Sequence, residues 1–293
     1  MGPLLFLVYI NDITKNLSPQ TRSRLFADDG LMYRTILTVQ DCLELQNDLK
    51  ILEDWELINK MEFHPGKCQI LRITNKLNPI IFDYSIHSTK CSSVKSAKYL
   101  GVNIDSSLQW TTHYNEIIKK ANSKLSFLSR NLSSCPKSIK DLSYKSLVRP
   151  ILEYGCCVWD PHYENHREEF EKVQKRAARF VLNRYDFTEG STVRNFRELN
   201  WPTLAERRAR IKLKILYKAR NGSIHIPSDI LKPVSSLTRR NHLHYTIPQS
   251  EVNSHLFSFY PITIRMWNSL PRHIKISTSL NSFEDAQKSK LPN

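Results

Sequence analysis

Apolar and polar positions change rhythm along this chain near residue 109. Before that point the apolar residues come in short runs. Residues 3–13 are apolar almost throughout and predict a buried helix, with Pro3 tolerated in its first turn. In the segment RSRLFADDGLMYRT (22–35), two apolar runs, Leu25-Phe26-Ala27 and Leu31-Met32-Tyr33, flank Asp28-Asp29-Gly30. Asp-Gly between apolar runs predicts a hairpin, because Gly tolerates positive φ. Leu45, Leu49, Leu52 and Trp55 fall at helical spacing and predict a helix over 40–60, which His64-Pro65-Gly66 ends. Three strands are expected next, at 68–74, 80–86 and 98–105, as a small antiparallel sheet.

Beyond residue 110 the period is helical. Tyr114, Ile117, Ile118, Ala121, Leu125 and Leu128 form one stripe that reads as core rather than as a ligand surface. The stripe continues over 137–158 with Ile139, Leu142, Leu147 and Ile151, and Pro150 should kink or divide that helix. A third helix, 166–184, carries Phe170, Val173, Ala177 and Phe180 on one face. Its acidic residues lie early and its basic residues late, as the helix dipole favours. A fourth opens at Thr203, with Glu206 completing a capping box, and closes at Asn221-Gly222. Residues 223–293 are rich in Pro, Ser, His and Asn and less periodic. The chain therefore divides into a mixed α/β (α+β) part at 1–108, an all-helical part at 109–222 and a C-terminal extension at 223–293.

Composition narrows the chemistry. The 293 residues carry a formal charge of +15, and 40% of them are hydrophobic, a globular profile. Of that charge, +10 lies between residues 172 and 220, where 14 Lys and Arg face 4 Asp and Glu. Such a concentration predicts a polyanion-facing surface with contacts to phosphate rather than to bases. Its members include Lys175, Arg176 and Arg179 on one helix, and Arg207, Arg208, Arg210, Lys212 and Lys214 on the next. Glycine is scarce, 7 in all, and Gly2, Gly30, Gly66 and Gly101 are far apart. That excludes a glycine-rich nucleotide loop. None of the 6 cysteines forms C-x-x-C, and the Cys156-Cys157 pair sits in an apolar run. Buried, reduced thiols are expected, and with them an intracellular, nuclear or cytoplasmic setting. The N-terminus lacks the basic segment of a signal peptide and is too short to span a bilayer, so no membrane role is expected. Phe6 stands where a myristoylation motif needs Ser or Thr.

Asp28-Asp29 carries the sharpest chemistry. Two adjacent carboxylates repel unless a cation lies between or near them, and hard divalent cations take carboxylate oxygens. Two such ions can clamp the attacking and leaving oxygens of phosphoryl transfer. On these residues alone, a solvated turn without a role is the simpler account. Lys67, after Pro65-Gly66, reads by itself as a surface lysine. His242 and His244 have no carboxylate or Cys neighbour and read as a solvated loop. Tyr99 and Trp110 could stack bases, although core packing is the default for such rings.

The wider text adds a resemblance. Leu25-Phe26-Ala27-Asp28-Asp29-Gly30-Leu31-Met32-Tyr33 resembles the Phe-Ala-Asp-Asp palm motif of reverse transcriptases, specifically those of non-long-terminal-repeat (LINE-type) retrotransposons. Gly2-Pro3-Leu4-Leu5-Phe6 with Tyr9-Ile10-Asn11-Asp12 is similar to the end of their preceding motif. Residues 63–73 are similar to the following one, and Lys98-Tyr99-Leu100-Gly101-Val102 to the primer-grip turn. Tyr144 to Val148, Leu152 to Gly155, Val158-Trp159, Val173 to Arg179 and Trp267 to Pro271 are similar to the thumb and tail of the same elements.

The resemblance implies a partial polymerase palm, a helical thumb and a basic extension. It implies an RNA template, a DNA primer and a deoxynucleotide as partners, and two Mg²⁺ ions on Asp28 and Asp29. Lys67 would protonate leaving pyrophosphate, and Tyr99, Leu100 and Gly101 would position the primer. The family's third metal-binding Asp lies well upstream of this hairpin, whereas the only acidic residue before Asp28 here is Asp12, which belongs to the helix-end match. The expectation is half a catalytic site and no activity from this chain alone. The alternative is a non-enzymatic nucleic-acid-binding remnant or domesticated thumb module.

Overall fold

A computed structural model describes residues 2–227, 230–234 and 243–290, the side chains of 289 and 290 apart. The chain forms two compact units, Met1–Trp110 and Thr111–Asn293. Helices and short strand pairs make it a mixed α and β protein.

In the first unit, helix α1 (Gly2–Tyr9) leads to strands β1 (Arg22–Phe26) and β2 (Asp29–Tyr33), then to helix α2 (Val39–Asn59). Thr38 caps α2 in a capping box with Asp41. Hydrogen bonds from the backbone N–H groups of Thr38 and Leu37 hold the Asp41 carboxyl below its ordinary range. The α2 helix is pinned by buried carboxylates as well as by leucines. Asp48 accepts from the Ser18 N–H and hydroxyl, both at 2.8 Å, and from the Thr21 hydroxyl. Glu56 accepts from the Phe63 N–H and faces His87 Nε2 at 2.7 Å. A small core joins Ile10, Ile13 and Trp55.

The predicted small sheet is four separate two-stranded pairs among the described residues. The β1 and β2 strands pair antiparallel. Strand β3 (Gln69–Leu71) pairs in parallel with β6 (Ser92–Val94). Between them, β4 (Ser85–Ile86) and β5 (Thr89–Lys90) form a minimal hairpin. The segment read as one strand at 98–105 is a hairpin of β7 (Ser96–Tyr99) and β8 (Val102–Asp105). Its two loop residues both have positive φ, Leu100 at 45° and Gly101 at 80°. That is the geometry a two-residue hairpin needs to match strand twist.

Burial differs from expectation at α1. The α1 helix is not buried: Leu4 is 71% exposed, Leu5 63% and Val8 76%. The hairpin strands are not buried either, with Phe26 64% exposed and Leu25 and Tyr33 also open. The apolar patterning is real, but nothing among the described residues covers these faces.

The second unit is helical: α3 (Thr111–Asn131), α4 (Lys137–Leu147), a 3-10 turn at Arg149–Leu152, α5 (Cys156–Trp159), α6 (Glu164–Leu182), α7 (Ser191–Leu199) and α8 (Leu204–Arg220). Pro150 divides the predicted 137–158 helix, as its missing N–H requires. The stripe read on α4 is a correction. Ile139, Leu142 and Leu147 are exposed, while Tyr144 and Lys140 are buried. The Tyr144 ring stacks on Trp201 at 4.5 Å, its hydroxyl donates to Gln174 Oε1 at 3.0 Å, and Lys140 lies over the Phe180 ring. The core of α3 and α6 matches its predicted stripes, with Tyr114, Ala121, Leu125 and Leu128 facing Phe170, Val173 and Ala177.

The C-terminal segment carries more helix than its composition predicts: α9 (Asn253–Leu256), α10 (Phe259–Ser269), α11 (Arg272–Lys275) and α12 (Leu280–Lys290). Of these, α10, α11 and α12 share a core with α8, built from Leu213, Leu216, Tyr217, Ile264, Trp267, Ile274 and Phe283. All six cysteines are free thiols, and Cys156 is buried.

Candidate metal centre and nucleic-acid interface

The β1–β2 register places the two carboxylates. Phe26 pairs with Asp29 and Leu25 with Gly30, so the two-residue loop is Ala27-Asp28. The predicted turn at Asp-Gly is therefore displaced toward the N-terminus. Positive φ falls on Ala27, at 51°, and not on Gly30. Asp28 sits in the loop and Asp29 opens β2, side by side at an exposed tip. Their oxygens suit a hard divalent cation, which takes oxygen ligands. Two carboxylates are short of a full ligand set, and no cluster of three or more His, Cys, Asp and Glu occurs among the described residues. Asp12 is engaged elsewhere, accepting from the Trp55 indole N–H at 2.9 Å.

Lys67 closes a 3-10 turn, Pro65–Lys67, and is exposed just before β3. Tyr99 ends β7 and is half-buried, and Leu100-Gly101 form the adjoining loop. His244 is half-buried, and burial together with nearby Lys275 holds it below the usual histidine range. His242 lies outside the described residues.

The structure sorts the basic residues of α6 and α8 into two groups. On α8 most are engaged inside the fold. Arg208 is fully buried; its Nε donates to Asp160 Oδ1 at 2.6 Å and its guanidinium lies over the Phe170 ring at 5.1 Å. Lys212 is buried and donates to the other Asp160 oxygen. Arg207 makes a two-point pair with Glu153, the longer bond being 3.0 Å. Lys214 pairs with Glu284. Arg210 is half-buried with its Nε enclosed and unbonded among the described residues.

Basic residues on α6 face outward. Arg176 is exposed and is held by two neutral oxygens, Asn122 Oδ1 at 2.9 Å and Ser126 Oγ at 3.4 Å. Arg179 lies over the Phe187 ring at 4.6 Å, and Lys175 is half-buried. Sequence reasoning ranked α6 and α8 alike, because charge counts do not show which cations meet a carboxylate. It also missed Asp160, Asn122 and Ser126. For Asp160 the available signal was an acid directly before Pro161 and ahead of a basic helix.

Glu171 lies beside this network and accepts from the Ala205 N–H at 3.0 Å. Burial raises its pKa above the usual carboxylate range. The folded state then binds a proton more tightly than the unfolded state, so this group adds stability as pH falls through its raised pKa and loses it as pH rises. Thermal melts between pH 7 and pH 4 should show that contribution, and Glu171→Gln should flatten it.

Three comparisons bear on this arrangement. The chain is 25% identical over 202 residues to a probable RNA-directed DNA polymerase from transposon X-element of Drosophila melanogaster, covering 66% of this chain and 22% of that protein. It is 24% identical over 221 residues to a probable RNA-directed DNA polymerase from transposon BS of the same organism, covering 72% and 24%. It is 24% identical over 193 residues to the RNA-directed DNA polymerase from mobile element jockey of Drosophila funebris, covering 62% and 21%. The resemblance to LINE-type elements drawn from the motifs is thus borne out. The chain spans less than a quarter of the length of these relatives. No family model and no solved structure matches it.

Proposed function

We propose that this chain is a C-terminal portion of a LINE-type RNA-directed DNA polymerase, with part of the palm at 1–108, the thumb at 109–222 and an extension at 223–293. The observation that carries this reading is the hairpin of β1 and β2, which presents Asp28 and Asp29 together at its tip in a chain similar to three transposon polymerases. The exposed apolar faces of α1 and of the hairpin support it, since a larger polymerase would cover them.

In the complete enzyme a primer 3′-oxygen attacks the α-phosphate of a deoxynucleotide and pyrophosphate leaves. Asp28 and Asp29 would hold Mg²⁺, which supplies charge stabilisation for the attacking and leaving oxygens. Lys67 would give a proton to the leaving pyrophosphate. Tyr99, Leu100 and Gly101 would fix the primer end at the tip of the β7–β8 hairpin. Lys and Arg of the thumb would hold the duplex through its phosphates, independently of sequence.

By itself the chain acts as a nucleic-acid-binding module without polymerase activity. Arg176, an exposed cation held by two neutral oxygens rather than by a carboxylate, supports this second reading. Titration with Mn²⁺, a paramagnetic stand-in for Mg²⁺, tests the metal assignment. Amide signals of residues 27–30 should broaden selectively, and an Asp28→Ala, Asp29→Ala double variant should lose the effect. Uniform weak broadening in both proteins would contradict the assignment. On a primed RNA template with Mg²⁺, deoxynucleotide incorporation by the chain should not exceed that of the double variant.

A further inference from the structure

We propose that the outer rim of the seam between α3 and α6 seats the phosphate backbone of one nucleic-acid strand, with Arg176 as its central ligand and Asn122 and Ser126 as positioning residues. The proposal rests on the nucleic-acid reading above and deepens it, because it moves the contact from α8 to a seam that includes α3.

The two helices lie side by side and run the same way. Tyr114 meets Phe170 near one end, at 5.6 Å between ring centroids, and Asn122 and Ser126 meet Arg176 farther along. Beneath the seam is the buried stripe of Tyr114, Ala121, Leu125 and Leu128. Along its rim on α3, positions 119, 122, 126 and 130 follow one another at three- and four-residue spacing, so they share a face. They are Lys119, Asn122, Ser126 and Arg130, and both cations are exposed. The matching rim of α6 holds Glu169, Lys172, Arg176 and Arg179. Glu169 and Lys172 pair with each other at the surface and cancel. The remainder is a row of Lys119, Arg176, Arg179 and Arg130. From 119 to 130 the row runs about 16 Å at ~1.5 Å per residue, enough for several successive phosphates of one strand.

Arg176 differs from the α8 cations in what holds it. Arg207 pairs with Glu153 and Lys214 with Glu284, while Arg208 and Lys212 share the single carboxylate of Asp160. Among the described residues, the hydrogen-bond partners of Arg176 are two neutral oxygens. Its charge is therefore uncompensated while its fork is fixed in place, and the remaining N–H groups are free to donate. A planar fork already immobilised loses little entropy on meeting a phosphate. Asn122 and Ser126 bring no charge of their own. They orient the guanidinium.

The test is the salt dependence of binding to a fluorescent RNA–DNA heteroduplex. The chain as it stands should show a steep fall of affinity with salt. Arg176→Ala, Lys119→Ala and Arg130→Ala should each lower the log–log slope by about one, the counterions of one phosphate contact. Arg176→Lys should keep the slope and weaken binding, because it keeps charge and loses the fork. Asn122→Ala and Ser126→Ala should weaken binding several-fold with slope and melting temperature unchanged, which a purely structural role would not give. Lys90→Ala, which removes a lysine paired with Asp83 outside the thumb, should leave both affinity and slope unchanged. A steep wild-type slope that Arg176→Ala and Lys119→Ala leave intact would overturn this proposal alone. A flat wild-type slope would instead overturn the nucleic-acid reading beneath it.

Discussion

Asp160→Ala should destabilise the helical unit by about 3–5 kcal/mol, as expected when one partner of a buried ion pair is removed. Asp160 answers two cations at once. Its Oδ1 accepts from Arg208 Nε at 2.6 Å and its Oδ2 accepts from Lys212. Arg208 is fully buried and Lys212 is 4% exposed, so neither can turn to solvent when the carboxylate is gone. The Nη atoms of Arg208 already lack hydrogen-bond acceptors among the described residues and rely on the Phe170 face. The loss approaches the whole stability of an ordinary domain, roughly 5–15 kcal/mol. Denaturant titration followed by circular dichroism reads it as a shift of the midpoint. A triple change, Asp160→Leu with Arg208→Met and Lys212→Leu, should recover most of the loss, because apolar groups of similar size replace buried ion triads at little cost. A midpoint unchanged in Asp160→Ala would mean that the carboxylate does not hold the two cations.

Trp267→Ala should cost a similar amount, about 3–5 kcal/mol, the range for removing a large aromatic from a packed core. Trp267 is fully buried, and its indole N–H donates to the Leu243 carbonyl at 2.9 Å. Its ring neighbours are Phe283 at 5.8 Å and Tyr245 at 6.3 Å, and Arg220 lies over it at 5.5 Å. The cluster joins three residues of α8 to the helices that follow. The loss should therefore reach α8 and not stop at the C-terminal helices. Hydrogen exchange separates the two outcomes. Faster exchange in both α8 and α10–α12 is expected, whereas exchange confined to residues 253–290 would show that the extension folds independently.

The sequence made some of this arrangement legible and hid the rest for identifiable reasons. The stripes of α3 and α6 were readable because each helix buries one face against the other. Thr203 and Glu206 marked the start of α8 correctly, since a capping box is local chemistry. The α4 stripe misled because Tyr144 and Lys140, amphipathic side chains, took the buried face instead of Ile139 and Leu142. The hairpin was readable, but its turn was not. Its register puts the strain on Ala27 rather than on Gly30, and register depends on pairing rather than on composition. Composition predicts a buried α1, yet among the described residues nothing covers Leu4, Leu5 or Val8. Charge counting marks residues 172–220 as basic but does not sort the cations paired inside the fold from those left without a carboxylate. Asp160, Glu153 and Glu284 pair with cations on α8 from 52, 54 and 70 positions away. Arg176 was named in that count, whereas the two neutral residues that orient it lie on a helix that the apolar period marked only as core.

A grip on a primed template is the proposed role of this chain. The most direct measurement is the fluorescence anisotropy of a labelled DNA primer annealed to RNA, titrated with the chain from low to physiological salt. The log affinity should fall linearly with log salt, with a slope of magnitude about 3–4, one for each uncompensated cation of the α3–α6 row. Binding too weak to detect at low salt, or affinity that does not change with salt, would contradict it.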